Sequence, residues 1–331
     1  MKMVQMKKIL ILLLAALLLL PTLVISCGEK KEMVLIYTSA EDYVVEDMTA
    51  RLEAAFPQYD IIVEYLSTGN HGAKLMTEGK YTECDITYNL EYGYLEQIAQ
   101  EGILADLSNY DLQIYCEDVV RSKYYIPQVR SGSAIILNTD VMAQRGLAEP
   151  TCYQDLLKPE YAGLISMPNP KSSGTGYTFL KSLVNAWGED AAFAYFDQLT
   201  PNILQYTSSG SGPVNALLQG EVAIGMGMLP QAVLQINEGA PLKILFFEEG
   251  APFALCGQGI VSGKETRPCV KEVFDFLIHT YGYEYNEKFV PEQLFRDKIY
   301  SVENYPQNIV YADMSGDTSA EKERLLNKWN H

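Results

Sequence analysis

The chain has 331 residues, of which 42 are acidic and 25 are basic, and its formal net charge is −17. This excess of acid excludes nucleic acid as the expected partner, because phosphate backbones are bound by basic surfaces. About 300 residues are more than a single hydrophobic core usually serves, so two domains are expected.

The N-terminus has the order of a secretory signal peptide. A basic start precedes an apolar run over residues 9–26, and such a run is also near the length of a membrane-spanning helix. The sequence VISC that ends at Cys27 resembles the lipobox of bacterial lipoproteins, in which the cysteine is acylated and becomes the new N-terminus. We therefore predict a signal peptide at 1–26, lipidation of Cys27 and a short tether at 27–32.

The first half of the remaining chain alternates β-rich runs with helical periods, which is typical of an α/β fold. Between the first two runs, Val44, Met48 and Leu52 fall at helical spacing after a capping-box-like start at Ser39. This order places a helix N-terminus at the carboxyl edge of a sheet, where open α/β sheets bind ligands. The predicted strands are 33–38, 61–66, 84–88 and 134–137.

In the second half, two loops of hydroxyl and glycine residues precede predicted helices. Pro213 suits the first position of the second of these helices, whose inward side chains would be Val214, Leu217 and Leu218. The chain then returns to the first domain, so two crossings form a two-strand hinge. The later strands are predicted at 222–227, 242–247 and 260–261, the crossings near 131–138 and 252–262, and a further helix from Pro268.

Three loops before helices are candidates for ligand binding. A helix N-terminus presents unpaired N–H groups and a partial positive charge, so converging loops could bind an anion without lysine or arginine. Each loop alone is also consistent with an ordinary cap or turn. Asn89 after the third strand, Met228 and Glu249 are further candidates, whereas His71 is expected to be a cap or a surface residue. The predicted ligand-binding residues are Thr38, Ser39, Asn89, Ser172, Ser173, Gly174, Thr175, Gly176, Tyr206, Ser208, Ser209, Gly210, Ser211, Met228 and Glu249.

Five segments, in order along the chain, resemble the binding proteins that serve ferric-ion, phosphonate and sugar-phosphate ABC importers. They are YTSAED, STGNHGAKL, NPKSSGTGYTF, SSGSGPVNALLQGEVAIGMG and EEGAPFALCGQGIVSG. The resemblance implies an α/β, two-lobe type II periplasmic-binding-protein fold, with mixed, mostly parallel sheets joined by a two-strand hinge. Lobe 1 is predicted at 33–130 and 256–331, with C-terminal helices that contact both lobes, and lobe 2 at 131–255.

The same resemblance implies capture of a small molecule by closure of the lobes, and importer permease and ATPase partners. Ferric members hold iron with two adjacent tyrosines in the segment that matches Tyr206-Thr207-Ser208, and this chain has one, which disfavours iron. The predicted ligand is a phosphorylated sugar, a phosphonate or a similar organophosphate. Ferric ion, a cation of the polyamine or thiamine type, and a sensing role for a membrane kinase remain alternatives.

Catalysis is not expected, because no G-x-S-x-G elbow, P-loop or H-E-x-x-H motif is present. The five cysteines other than Cys27 are scattered and include no C-x-x-C, so buried free thiols are expected, with one incidental disulfide as the alternative. We therefore predict an extracytoplasmic monomer, attached to the membrane by its lipid, with no cofactor and no metal.

Overall fold

The structure, a computed structural model, describes residues 31–331. The predicted signal peptide, Cys27 and most of the tether lie outside the described residues. The strands are β1 (Met33–Thr38), β2 (Asp60–Tyr65), β3 (Ile86–Glu91), β4 (Ile126–Asn138), β5 (Ile165–Pro168), β6 (Ile203–Thr207), β7 (Ile224–Met228), β8 (Leu242–Leu245) and β9 (Phe253–Ile260). The α-helices are α1 (Asp42–Ala55), α2 (Thr68–Glu78), α3 (Tyr92–Gln100), α4 (Thr139–Arg145), α5 (Gly174–Trp187), α6 (Glu189–Leu199), α7 (Gly212–Leu218), α8 (Leu229–Asn237), α9 (Pro268–Phe276), α10 (Gly282–Lys288) and α11 (Ser319–Lys328).

The strands form one continuous path in the order β2-β1-β3-β9-β4-β7-β5-β6, and β8 pairs with β4. The parallel pairs are β1 with β2 and β3, and β5 with β6 and β7, as short strands joined through helices require. Every antiparallel pair involves β4 or β9. The mixed pairing therefore results from the two strands that the chain uses to cross between lobes.

Strand β4 belongs to both lobes. Its residues 126–132 pair with β9, and its residues 133–138 pair with β7 and β8. At the change of partner, the backbone N–H of Ser133 donates to the carbonyl of Pro252 at 2.7 Å. The two crossings thus lie side by side, which is the two-strand hinge predicted from the sequence, and β4 is much longer than the predicted strand at 134–137.

Separate hydrophobic cores define the two lobes. Val34, Ile86 and Phe274 belong to the core of lobe 1, which is built on β1, β3, β9 and the first half of β4. Two further clusters lie on either side of the lobe 2 strands. Leu325 and Trp329, at the C-terminus, are fully buried in lobe 2. The sequence limits of each lobe stay a prediction, since residues 32–331 form one compact unit.

Two local expectations are wrong. Leu218, predicted to point inward, is 40% exposed at the last position of α7, because that helix ends before another turn could cover it. The helix predicted after Ser39 begins at Asp42, and the residue that precedes it is Glu41, so Ser39 is not a cap.

Candidate functional site

Helices from both lobes begin around one small cavity. The residues that immediately precede α1, α2 and α3 in lobe 1, and α5 and α8 in lobe 2, all line it: Glu41, Ser67, Glu91, Ser173 and Met228. The cavity measures about 50 Å³, and one water needs roughly 10–15 Å³ of such space. In this closed arrangement the cavity accommodates a compact polar group.

The wall of the cavity consists mainly of hydroxyl groups. None of its lining residues within the described part of the chain is a lysine or an arginine. The helix N-termini therefore supply the partial positive charges at its wall. The hydroxyl-bearing residues are Ser39, Tyr65, Ser67, Thr68, Ser131, Ser133, Ser172, Ser173, Thr175, Thr178 and Ser209.

Nine of the fifteen predicted ligand-binding residues line this cavity. They come from loops far apart in sequence, and the fold brings them together. They are Ser39, Asn89, Ser172, Ser173, Gly174, Thr175, Ser209, Gly210 and Met228.

The other six predicted residues lie outside the cavity. Thr38 is buried, and its hydroxyl accepts from the backbone N–H of Ala40 at 3.0 Å. The hydroxyl of Tyr206 lies 2.9 Å from that of Thr200, in lobe 2. Glu249 accepts from the indole N–H of Trp187 at 3.1 Å. The remaining three are Gly176, which packs against Pro168, and Ser208 and Ser211, which line an adjoining opening of about 380 Å³.

Glycine at position 174 lets the two lobes meet. A Cβ atom there would lie 1.6 Å from Oε1 of Glu91 in lobe 1, well inside van der Waals contact. The preceding residue, Ser173, caps α5 by accepting from the N–H of Gly176 at 3.5 Å. Gly69 makes a second close approach between lobes, since its Cβ would lie 2.8 Å from the carbonyl of Lys171.

The carboxyl group of Glu41 also lines the cavity, and sequence reasoning missed it. Burial raises its pKa to about 7, and a hydrogen bond from Ser211 opposes that shift. At neutral pH the group is therefore close to half protonated. Its only sequence signal is its position, directly after the YTSA loop and before a helix.

Glu91 is the second carboxylate at the cavity, and it was also missed. It forms an ion pair with Lys322, 231 residues away on α11. Both side chains are buried, so the charge of Glu91 is balanced inside the protein. No local pattern in the sequence indicates this pairing.

His71 lies behind the cavity. The expectation that it is a helix cap or a surface residue is wrong. It is fully buried within α2, with Nδ1 2.8 Å from the Ser39 hydroxyl and Nε2 2.9 Å from the Thr87 hydroxyl. Burial, and to a smaller extent Lys74, lowers the pKa of His71 to about 3. The ring is therefore neutral and holds Ser39 in place.

Asn89 lies within β3 rather than after it. Its φ is 55°, in the left-handed region that few residues other than glycine adopt. The pairing of β3 with β9 shifts register between Thr87 and Leu90, so Asn89 lies at a bulge that turns its side chain to the cavity. Its Oδ1 is buried without a protein partner in the described residues, which leaves an acceptor for a ligand donor.

Comparison with known proteins identifies the family. Residues 84–291 match the model of a family described as bacterial extracellular solute-binding protein. The chain belongs to this family of solute-binding proteins. The predicted family and the predicted two-lobe fold are thereby confirmed.

Individual relatives of this solute-binding protein are distant. An uncharacterized protein of Haemophilus influenzae is 28% identical over 262 residues, which cover 77% of this chain and 75% of the relative. The spermidine/putrescine-binding periplasmic protein of Escherichia coli is 24% identical over 65% of this chain and 64% of its own length, just under two thirds. Among solved structures, the periplasmic binding protein AfuA from Actinobacillus pleuropneumoniae, with exogenous fructose-6-phosphate bound, has a TM-score of 0.79 and 26% identity over 90% of this chain and 98% of its own.

The part of this solute-binding protein that the structure describes, residues 31–331, holds no helix long and apolar enough to cross a membrane. Its five cysteines are free thiols: Cys84, Cys256 and Cys269 are buried, as predicted, whereas Cys116 and Cys152 are partly exposed, and only Cys256 lines the cavity.

Proposed function

We propose that this protein captures a small phosphorylated solute between its lobes and delivers it to an ABC importer. The observation that carries the proposal is the convergence of helix N-termini from both lobes on one hydroxyl-lined cavity. Unpaired N–H groups and hydroxyls bind a phosphate or phosphonate without a basic side chain. The solved relative AfuA, with fructose-6-phosphate bound, supports this class of ligand.

The acceptors at the cavity indicate what the rest of the ligand carries. Oδ1 of Asn89 has no partner in the described residues, and the carboxyl groups of Glu41 and Glu91 can accept hydrogen bonds from a ligand. Hydroxyl groups of a sugar satisfy such acceptors and leave the phosphate to the helix N-termini. We therefore favour a sugar phosphate, or another organophosphate with hydroxyl or amino groups, over inorganic phosphate.

A ligand of this size exceeds the 50 Å³ cavity and needs the space beside it. The adjoining opening of about 380 Å³ shares Tyr65, Ser67 and Ser209 with the cavity. Ser208 and Ser211 of the predicted site line it as well. In this proposal the phosphate occupies the inner cavity and the remainder of the solute lies toward these serines.

A cationic solute is the second candidate, and the carboxyl group of Glu41 favours it. Glu41 and Glu91 both line the cavity, and an ionised Glu41 would balance an ammonium group. The spermidine/putrescine-binding relative supports the same class. Ferric ion has less support, because Tyr206, at the position that matches the iron ligands of the family, is bonded to Thr200 outside the cavity.

Thermal-shift and calorimetric measurements on the mature protein distinguish these ligands. The panel contains fructose 6-phosphate, glucose 6-phosphate, 2-aminoethylphosphonate, inorganic phosphate, spermidine, putrescine and ferric citrate. We expect stabilisation by at least one phosphorylated compound. Stabilisation by spermidine, putrescine or ferric citrate with none by the phosphorylated compounds would overturn the proposal.

Substitution of two cavity serines tests where that compound binds. Ser173→Ala and Ser209→Ala each remove one donor and should each cost about 1 kcal/mol of binding free energy, with a larger loss in the double variant. Ser301→Ala, at an exposed position, is the matched control. Unchanged affinity in the double variant would place the ligand elsewhere.

We further propose that the chain is exported by residues 1–26, anchored through Cys27 and monomeric, with importer permease and ATPase as partners. Incorporation of labelled palmitate that is lost in Cys27→Ser tests the anchor. Loss of solute uptake on deletion of a neighbouring permease gene tests the transport role against that of a receptor for a sensor kinase.

A further inference from the structure

The C-terminal helix α11 is fastened to lobe 2. Leu325 and, one residue beyond the helix, Trp329 are fully buried in the core of lobe 2. Arg324 pairs with Glu189 at the start of α6 at 2.6 Å, and Lys328 pairs with the same carboxylate at 2.8 Å. These contacts make the helix part of lobe 2, although it follows the last segment of lobe 1 in sequence.

One side chain of this helix reaches lobe 1. Lys322 is only 4% exposed, and its ammonium group pairs with Glu91, which precedes α3 and is 7% exposed. The same ammonium lies 4.4 Å from the ring centroid of Tyr94 in lobe 1 and 4.3 Å from that of Tyr177 in lobe 2. A single buried cation thus contacts both lobes beside the cavity.

The environment keeps Lys322 charged. Burial by itself lowers the pKa of a lysine, but the carboxylate of Glu91 outweighs it, with help from Tyr94 and Asp317, so the pKa of Lys322 is raised. The charged groups near the pair are Asp317 and, directly before Lys322 in the sequence, Glu321, which pairs with Lys181 at 3.6 Å.

A pair buried between lobes exists only when the lobes are closed. When the lobes open, Glu91 and Lys322 are each hydrated again. The ion pair therefore contributes to the free-energy difference between the closed and the open form. If Lys322 is lost, closure buries an uncompensated carboxylate, which costs far more than the pair is worth. The other oxygen of that carboxylate, Oε1, lies against Gly174 at the cavity.

We propose that Lys322 is a positioning residue that clasps the lobes: on closure it neutralises Glu91 and fixes that carboxylate at the cavity wall. The C-terminal helix thereby controls the stability of the closed form and the charge that the ligand meets. The effect on the stability of the closed form does not depend on the class of ligand. The effect on the charge that the ligand meets rests on the proposed function.

Three variants of the mature protein test the clasp by small-angle scattering and calorimetry. Lys322→Met removes the charge and keeps much of the side chain, and Glu91→Gln/Lys322→Met removes both charges. Lys271→Met, at an exposed lysine of α9, is the control. The probe is fructose 6-phosphate, and the radius of gyration is measured with and without it.

We expect Lys322→Met to have the larger radius of gyration in both conditions and at least tenfold weaker binding. The double variant should recover compaction, because no uncompensated charge remains, and the control should match the wild type. Equal radii for wild type and Lys322→Met, with and without the probe, would overturn the clasp. If the wild type binds no phosphorylated compound, the proposed function fails, and the ligand-free radii decide the clasp independently.

Discussion

The Nδ1 atom of His71 lies 2.8 Å from the hydroxyl oxygen of Ser39. Because Nε2 of the same ring lies 2.9 Å from the Thr87 hydroxyl, one buried side chain of α2 connects the loop after β1 to β3. Ser39 lines the cavity, whereas His71 does not. His71 therefore acts on the site from behind, by holding one hydroxyl group of the wall.

Replacement of His71 by leucine should destabilise the protein. The variant leaves the hydroxyls of Ser39 and Thr87 without their partner, so we expect a loss on the order of 2–4 kcal/mol in the free energy of unfolding. Urea unfolding measures this loss. His279→Leu, at an exposed position, should change stability by less than about 0.5 kcal/mol. Similar values for the two variants would contradict the role of the buried ring.

The protonation of Glu41 should make binding depend on pH. Its pKa is raised to about 7 by burial, with Asp42 adding to the shift. Below that value the carboxyl is neutral beside an anion, and above it the carboxylate repels the anion. Affinity for fructose 6-phosphate should therefore fall roughly tenfold from pH 6 to pH 8, measured by calorimetry. Glu41→Gln should abolish this fall, and an equal fall in Glu41→Gln would contradict the role of this carboxyl.

Stability follows the same group. Because the pKa of Glu41 in the folded protein lies above the model value of 4.5, its contribution is complete below 4.5 and is lost as the pH rises through about 7. The stability of Glu41→Gln relative to wild type should therefore increase over that window. A constant difference between the two proteins from pH 4.5 to pH 7.5 would contradict the buried, protonated carboxyl.

Addition of one methyl group at Gly174 should prevent closure. In Gly174→Ala the new Cβ would overlap Oε1 of Glu91 across the lobes, so we expect at least tenfold weaker binding by calorimetry. Each lobe keeps its own core, and the free energy of unfolding should change by no more than about 1 kcal/mol. Gly93→Ala, whose Cβ meets nothing within 4 Å, is the control and should bind as the wild type does. Normal affinity in Gly174→Ala would mean that ligand binding does not require close approach of the lobes at this position.

Reactivity of Cys256 should report closure. Burial raises the pKa of its thiol, and the residue lines the cavity, whereas Cys116 and Cys152 are partly exposed. A disulfide reagent should therefore modify Cys116 and Cys152 first, and a ligand that closes the lobes should slow modification of Cys256 further. Cys256→Ser should remove the ligand-dependent phase. A rate that is the same with and without ligand would show that this wall stays accessible.

The loops of the site were predictable because their signals are local. The run from Ser172 to Thr175 combines hydroxyls and glycine directly before a helix, and it lines the cavity as expected. Thr38 has the same chemistry, but it is the last residue of β1, and its hydroxyl is used by the backbone of Ala40. Residue type indicates what a side chain can bind, whereas the direction of the side chain depends on where the strand ends.

The carboxylates were not predictable, because their environments come from distant parts of the chain. Glu91 ends β3 among apolar neighbours, and its partner Lys322 is on a helix that ordinary charge patterning assigns to the surface. Glu249 gives the opposite error, since this carboxylate, in the turn after β8, accepts from Trp187 within lobe 2. Only the tertiary fold determines that Glu91 lines the cavity and that Glu249 does not.

The position of β9 has a consequence for the order of folding. This strand lies between β3 and β4, although residues 133–252 of lobe 2 come before it in the chain. As the polypeptide emerges, the strands of lobe 2 can pair early, although α11 completes the core of that lobe last, while β3 keeps an unpaired edge until residue 260 is available. Such late, non-local pairing slows folding and exposes strand edges to other chains. We therefore expect the sheet of lobe 1 to pair after the sheet of lobe 2 and to be the main source of aggregation when the chain is refolded.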